Sequence, residues 1–345
     1  EMLKRGVSLA AMIDFDVLDG LDEGLAVSDA LLYPFAVGLE TRVYVSDFAR
    51  DVLNSPNEPG VAYYCGIGFV KEPPANSDAH RTLSKMRMLA RRRNEAMLER
   101  INNYLGQVDL DYEVDVLPLS ASGNATERHM LVALERRAEE VFSDTRKRAH
   151  FWAAKLWQSE DEIQRLMKDP VQFRNVMRKQ LMKYGSPGYA PPEPSSFPTL
   201  NETVQFIREC GAMPMYAWLD GTNSGEADAE LLVDYFLNAG GTGINIIPDR
   251  NWNLKDPEEK ARKVAKLNEI ISVARDRRLP LNVGTEINSP SQPIVDHFDS
   301  PELRPHVPAF LEGAQIVWGH SLLLRHGGFG YLSAQAEAAF GKDVK

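Results

Sequence analysis

Apolar residues along this chain fall into short, near-continuous runs, separated by longer stretches in which they recur every three or four positions. The runs predict strands at 7–13, 35–45, 61–69, 114–119, 213–218, 243–247, 281–285 and 315–318, because β-branched and aromatic residues suit a pleated, buried surface. The stretches between them predict helices at 83–105, 125–142, 200–210, 227–238, 257–277 and 301–312, each long enough to cross back over a sheet. Pro257 and Pro301 suit first helical turns, and Gly211 and Gly240-Gly241 follow helix ends. Strands apolar on both faces that alternate with helices indicate a parallel sheet covered by helices. About eight such units favour a TIM-like α/β barrel over an open sheet.

The alternation fails between 143 and 197. A helical stretch with Trp152, Trp157 and several arginines runs to Tyr184, then gives way to Gly185-Ser186-Pro187-Gly188-Tyr189-Ala190-Pro191-Pro192-Glu193-Pro194. This predicts a helical insertion closed by a proline-rich loop over one barrel mouth, within a single domain spanning 1–345; a surface excursion without function is the alternative. Residues 1–6 read as the last turns of a helix feeding a strand, so an upstream strand and helix are expected ahead of them.

With 345 residues, 43% of them hydrophobic, the chain can fill a sizeable core. Its net charge of −10 disfavours a general nucleic-acid binder, although a local basic patch can still hold a phosphate. Cys65 and Cys210 lie in apolar surroundings, which predicts buried thiols and a cytoplasmic setting. No run of about 18 apolar residues and no signal-peptide pattern occurs, so no membrane span is expected. No nucleotide-cofactor motif is evident, and the expected partner is a small-molecule substrate or ligand.

Barrel active sites form at the C-terminal ends of strands. The candidates there are Asp14 and Asp16, Glu40, Trp218 with Asp220, Asn245 with Asp249 and Arg250, Glu286 with Asn288, and His320. Asp16 and Asp220 equally suit turn or cap positions. Glu40 and Glu286 each follow an apolar strand and a small-residue pair, which suits a functional carboxylate, with a buried ion pair as the rival. His320 fits a general acid or base with an ordinary pKa of ~6.5, or a hydrogen-bonded structural histidine. Asp249-Arg250-Asn251-Trp252-Asn253 is the most ligand-like loop, able to hydrogen-bond and to stack. The run Arg91-Arg92-Arg93 shares its helix with Glu95, and the i,i+4 pairing points to a solvated face.

Ile13-Asp14-Phe15-Asp16, the later Val37-Gly38-Leu39-Glu40, Tyr64-Cys65-Gly66-Ile67-Gly68-Phe69, Asn124 to Met130 with His129, Ala212 to Leu219, Gly243-Ile244-Asn245 and Gly284-Thr285-Glu286-Ile287-Asn288 form an ordered series over most of the chain. The series resembles the PHP (polymerase and histidinol phosphatase) family of metal-dependent phosphoesterases. The resemblance implies a distorted barrel of seven or eight β/α units, and catalysis by two or three metal ions that activate water against a phosphoester. It also places family histidines at Phe15, Trp218 and Asn288, where this chain has none, and an aspartate at Glu286. The retained oxygen donors Glu40, Glu286 and Asn288 suit one Mg²⁺, Mn²⁺ or Ca²⁺ ion better than Zn²⁺.

Two readings follow. The first is a divergent hydrolase of a small phosphorylated or otherwise anionic substrate. Glu40, Glu286 and Asn288 hold the metal, His320 and Asp14 handle protons, and Arg250, Trp218, Asp249 and His129 contact substrate. The second is a catalytically inactive barrel that binds a small ligand, with Phe15 and Trp218 lining an aromatic pocket. A metal-free lyase or isomerase is a third option.

Overall fold

Six strands form one sheet in sequential order: Ala10–Phe15 (β1), Phe35–Tyr44 (β2), Val61–Ile67 (β3), Met213–Trp218 (β4), Gly243–Ile246 (β5) and Leu281–Val283 (β6). β3 runs antiparallel to both neighbours, and the other pairings are parallel. The helices are Leu21–Leu31 (α1), Asp78–Leu105 (α2), Glu127–Val141 (α3), Thr145–Leu156 (α4), Glu160–Leu166 (α5), Pro170–Met182 (α6), Leu200–Glu209 (α7), Ala229–Asn238 (α8), Asp249–Trp252 (α9), Pro257–Asp276 (α10), Val307–Gly327 (α11) and Ala334–Phe340 (α12). This computed structural model describes residues 2–285, 287 and 293–340.

Side chains paired laterally across a sheet share a face, and successive residues alternate. One face therefore carries Val37, Leu39, Tyr64, Tyr216, Trp218, Ile244, Ile246 and Leu281, packed in the main core with Leu21 and Leu25 of α1, Val204 and Ile207 of α7, Leu232 and Phe236 of α8, and Leu267 and Ile270 of α10. The other, inner face carries Cys65, Ile67, Met213, Met215 and Ala217, packed with Val317 of α11.

α11 accounts for a departure from the expected closed barrel. The run 315–318, read as a last strand from its β-branched residues, is helical. Pro308 opens the helix, and the buried Phe310, Gly313, Val317 and Ser321 recur at helical spacing. Gly313 lies directly against the Leu281 backbone, where a Cβ would overlap the carbonyl. The helix thus packs on β6 and on the inner face, and among the described residues the sheet is an open half-barrel. The run 114–119, also read as a strand, is wound into Tyr112–Val116 and Leu117–Leu119 turns, because the Asp111 carboxylate accepts from the Glu113 and Val114 N–H groups.

The chain divides into two compact units, Glu1–Met86 with Phe197–Lys345, and Arg87–Ser196. The helical excursion starts at Arg87 rather than at 143, since α3 and the distal part of α2 belong with α4, α5 and α6. The helical unit has its own core, with Trp152, Phe173, Leu134, Met177 and Ile101 fully buried. No helix among the described residues is long and apolar enough to cross a membrane.

Candidate functional site

The inner face holds a row of side chains at the level where β1 ends. Phe15 stands opposite Glu40, Glu40 opposite Cys65, and Cys65 opposite Met215. Two residues further toward the C-terminal ends, Arg42 stands opposite Tyr63, and Asn245 opposite Ala217 and Asn282. Glu40 and Phe15 are half-buried, the Phe15 and Tyr63 rings lie 6.3 Å apart, and the Glu40 charge adds to burial in pushing the Cys65 thiol up. The Arg42 guanidinium pairs with Glu58 at 3.2 Å and lies over the Phe197 ring at 4.8 Å. Asn282 donates to Asn245 at 2.5 Å, and both are buried. A carboxylate, a guanidinium, two amides and two aromatic rings therefore share one face of the sheet.

Asp16 locks the corner beside this row. It is buried in a left-handed conformation with φ 62°, accepts from Thr41 Oγ1 at 2.5 Å and donates its N–H to the Glu40 carbonyl at 2.8 Å. β1 is thereby stitched to β2 just past Phe15.

Several expected site residues lie elsewhere. Asp14 alternates with Phe15 and so falls on the helix-covered face, near Met12 and Gly20; burial, then the Asp19 charge, raises its pKa. Trp218 is fully buried in the outer core against Gly221, so it does not line an inner pocket. His320 belongs to α11 and lies against Gly68 and Gly330, at the N-terminal end of the parallel strands, where Ile67 pairs with Gly38 and Met213. Its Nδ1 accepts from the Tyr331 N–H at 2.9 Å, and burial pushes its pKa down to about 4. The Gly211 carbonyl works weakly the other way but makes no hydrogen bond to Nε2. A neutral, buried imidazole at the wrong end of the strands is a structural group. His129 lies in the helical unit, where its Nδ1 accepts from the Thr126 N–H at 3.0 Å and caps α3. Glu286 and Asn288 lie outside the described residues.

At the C-terminal ends, Glu226, Asp296 and His297 escape the sequence reading, while Asp220 and the 249–253 loop are singled out by it. Glu226 is fully buried, and its carboxylate accepts from Tyr216 Oη at 2.9 Å and from the N–H groups of Leu219, Asp220 and Gly221 at 3.1 to 3.2 Å, fixing the loop after β4. Asp220 in that loop is held below the usual carboxylate range: burial opposes ionisation, but hydrogen bonds from Thr222 and Lys263 outweigh it. A second group surrounds α9. Asn251 donates to the Leu219 and Ile247 carbonyls at 3.1 Å, which seats α9 over the ends of β4 and β5. Asp296 is buried beside Asp249, and the His297 ring meets Trp252 edge-on at 5.9 Å. Arg250 is exposed on the same turn.

The chain matches no protein-family model and no curated protein. Among solved structures it is similar to a protein of Bifidobacterium adolescentis assigned as a metal-dependent phosphoesterase, with a TM-score of 0.55 and 16% identity over 89% of this chain and 88% of that one. It is also similar to an amidohydrolase from Chromobacterium violaceum, solved with bound sulfate and no metal, with a TM-score of 0.52 and 19% identity over 90% of this chain and 88% of that one. At these identities the likeness is one of fold. It agrees with the phosphoesterase-like pattern of the strand ends.

Proposed function

We propose that the half-barrel is a divergent hydrolase of the metal-dependent phosphoesterase and amidohydrolase type, acting on a small phosphorylated or otherwise anionic substrate. The observation that carries this reading is the position of Glu40, a half-buried carboxylate on the inner face, level with the end of β1 and two residues below the Arg42 row. A cluster of two or three imidazole-bound ions does not fit the residues present. Phe15 occupies the inner position beside Glu40, Ala217 is the inward residue near the end of β4, and no group of three His, Cys, Asp or Glu able to hold an ion occurs among the described residues. The form of metal dependence that fits the donor chemistry is one hard divalent ion on oxygen ligands, with Glu40 as the described ligand; Glu286 and Asn288, the other donors expected from the sequence, lie outside the described residues. Such an ion, when bound, lowers the pKa of water and offsets phosphate charge. Arg42, Asn245 and Asn282 would orient the anionic group, and the Phe15–Tyr63 wall would exclude water.

Phe15 of that aromatic pair favours the second reading, a barrel that binds a small ligand without hydrolysing it, because a phenyl ring stands where the resembled family has an imidazole. Hydrolysis of a panel of phosphoesters, measured with Mn²⁺ or Mg²⁺ and after chelation, decides between the two. Metal-dependent turnover that falls at least ~100-fold in Glu40→Gln supports the hydrolase. Wild-type protein inert on every ester under all these conditions would leave the binding reading.

A further inference from the structure

One flank of α4 carries Arg146, Lys147, His150, Phe151, Ala154 and Lys155, at the spacing that stacks side chains along one side of a helix. The opposite flank buries Ala149, Trp152, Ala153 and Leu156 in the core of the helical unit. Together with Phe142 ahead of α4, Gln107 just past α2 and Glu160 of α5, the first flank bounds one shared open cleft of about 550 Å³, a size that suits a small molecule. All of these residues belong to the helical unit.

The floor of the cleft is aromatic. The Phe142 and Phe151 rings lie 4.9 Å apart, with Phe151 buried and Phe142 half-buried. The rim is cationic. Lys155 is fixed there, its Nζ donating to the Tyr104 carbonyl at 2.6 Å and standing over the Tyr104 ring at 4.7 Å. The carboxylate on the lining, Glu160, is bonded to His150 Nδ1 at 2.6 Å. Arg146 and Lys147 make no ion pair among the described residues. The adjacent Asp144 carboxylate is spent as the N-cap of α4, accepting from their backbone N–H groups at 2.8 and 3.0 Å. Elsewhere in the unit cations are taken up directly, as Arg174 is by Glu135 at 2.7 Å and Arg178 by Glu127 at 2.6 Å. Three cations therefore border the cleft against one carboxylate, in a chain whose net charge is −10.

Cations gathered around a wet aromatic floor repel one another and leave apolar surface exposed, and a ligand with a flat apolar body and a negative end relieves both. We infer that this cleft is a second binding site, for a small aromatic anion whose ring lies on Phe142 and Phe151 and whose charged end meets Arg146 and Lys147. Arg146 offers a planar fork to the anion, and Lys147 adds a point charge. Ala154, the small residue of the flank, leaves the room for the ring. The assignment does not rest on the hydrolase reading.

Titration calorimetry of the full chain with 2-naphthoate, 2-naphthylmethanol and acetate tests it, since the second probe lacks the charge and the third lacks the ring. Intermolecular NOEs locate the bound probe. The expected result is saturable binding of 2-naphthoate with NOEs to the Phe142 and Phe151 rings, and at least ~10-fold weaker binding of both controls. Arg146→Glu combined with Lys147→Glu reverses the rim charge and should weaken 2-naphthoate at least ~10-fold. Ala154→Trp fills the cleft and should weaken it as much. All three positions are exposed, and glutamates suit a first helical turn, so the melting temperature should hold in both variants. Failure of 2-naphthoate to bind overturns the proposal. So does equal affinity for the neutral alcohol, an affinity unchanged in both variants, or NOEs to other rings in place of Phe142 and Phe151.

Discussion

His320 is buried against two glycines with its ring held neutral, and the consequence is a dependence of stability on pH. Its folded pKa of about 4 lies below the ordinary 6.5, so below pH ~6.5 the unfolded chain takes a proton that the folded chain refuses. The stabilising contribution is complete above that pH and is lost as pH falls toward 4, by about 3 kcal/mol. Urea unfolding at pH 8, 6 and 5 should show this decline, and His320→Gln should flatten it. Glu226 carries the opposite lesson. Four donors converge on its carboxylate, so Glu226→Ala should cost about 3–5 kcal/mol of stability by leaving them unsatisfied in the core, again read by urea unfolding. At this scale the apolar run around Glu40 was legible, but Glu40 lies within β2 rather than at its end, and the strand continues to Tyr44. Trp218 and Asp14 were misread because alternation along a strand, rather than nearness to its end, decides which face a residue takes. Asp296 lies in a segment without periodicity, so only its neighbours in space reveal it.

Strands that are apolar on both faces announce themselves, and Met213–Trp218 appears as read, with Phe35–Tyr44 and Val61–Ile67 each within two residues at one end. The direction of β3 was not legible, because an apolar run looks the same whether its partner is parallel or antiparallel. α1 escaped because it buries only Leu21 and Leu25 and leaves Val27 and Leu31 exposed. The helical reading of 301–312 anticipated only the start of α11, whose second half hid behind Ile316, Val317 and Trp318. The close approach of α11 to β6 depends on Gly313. Gly313→Ala should force the helix off the Leu281 backbone and cost at least about 2 kcal/mol, read as a lowered melting temperature with faster amide exchange in β6. Gly319, which meets nothing around a built Cβ, is the control on the same helix, and Gly319→Ala should be neutral or slightly stabilising.

For the whole molecule, the helical departure from the barrel pattern was visible in the sequence, but its extent was not. α2 is one unbroken helix of 28 residues, and no composition change marks the boundary at Arg87. The negative excess of the chain falls on the half-barrel unit, since the helical unit carries slightly more Lys and Arg than Asp and Glu. On the proposed reading an anionic substrate would have to be held by local cations, and the cation on the inner face, Arg42, is paired with Glu58. The fold is similar to that of two solved hydrolase structures, and the inner face carries the Phe15 and Tyr63 rings with the Glu40 carboxylate. The central claim is that this carboxylate still binds one hard divalent ion. Elemental analysis of protein purified without chelators, beside Glu40→Ala, tests it most directly. The account predicts about one Mg, Mn or Ca per chain in the wild type and none in the variant. A wild type without metal, or a metal content unchanged by Glu40→Ala, would contradict it.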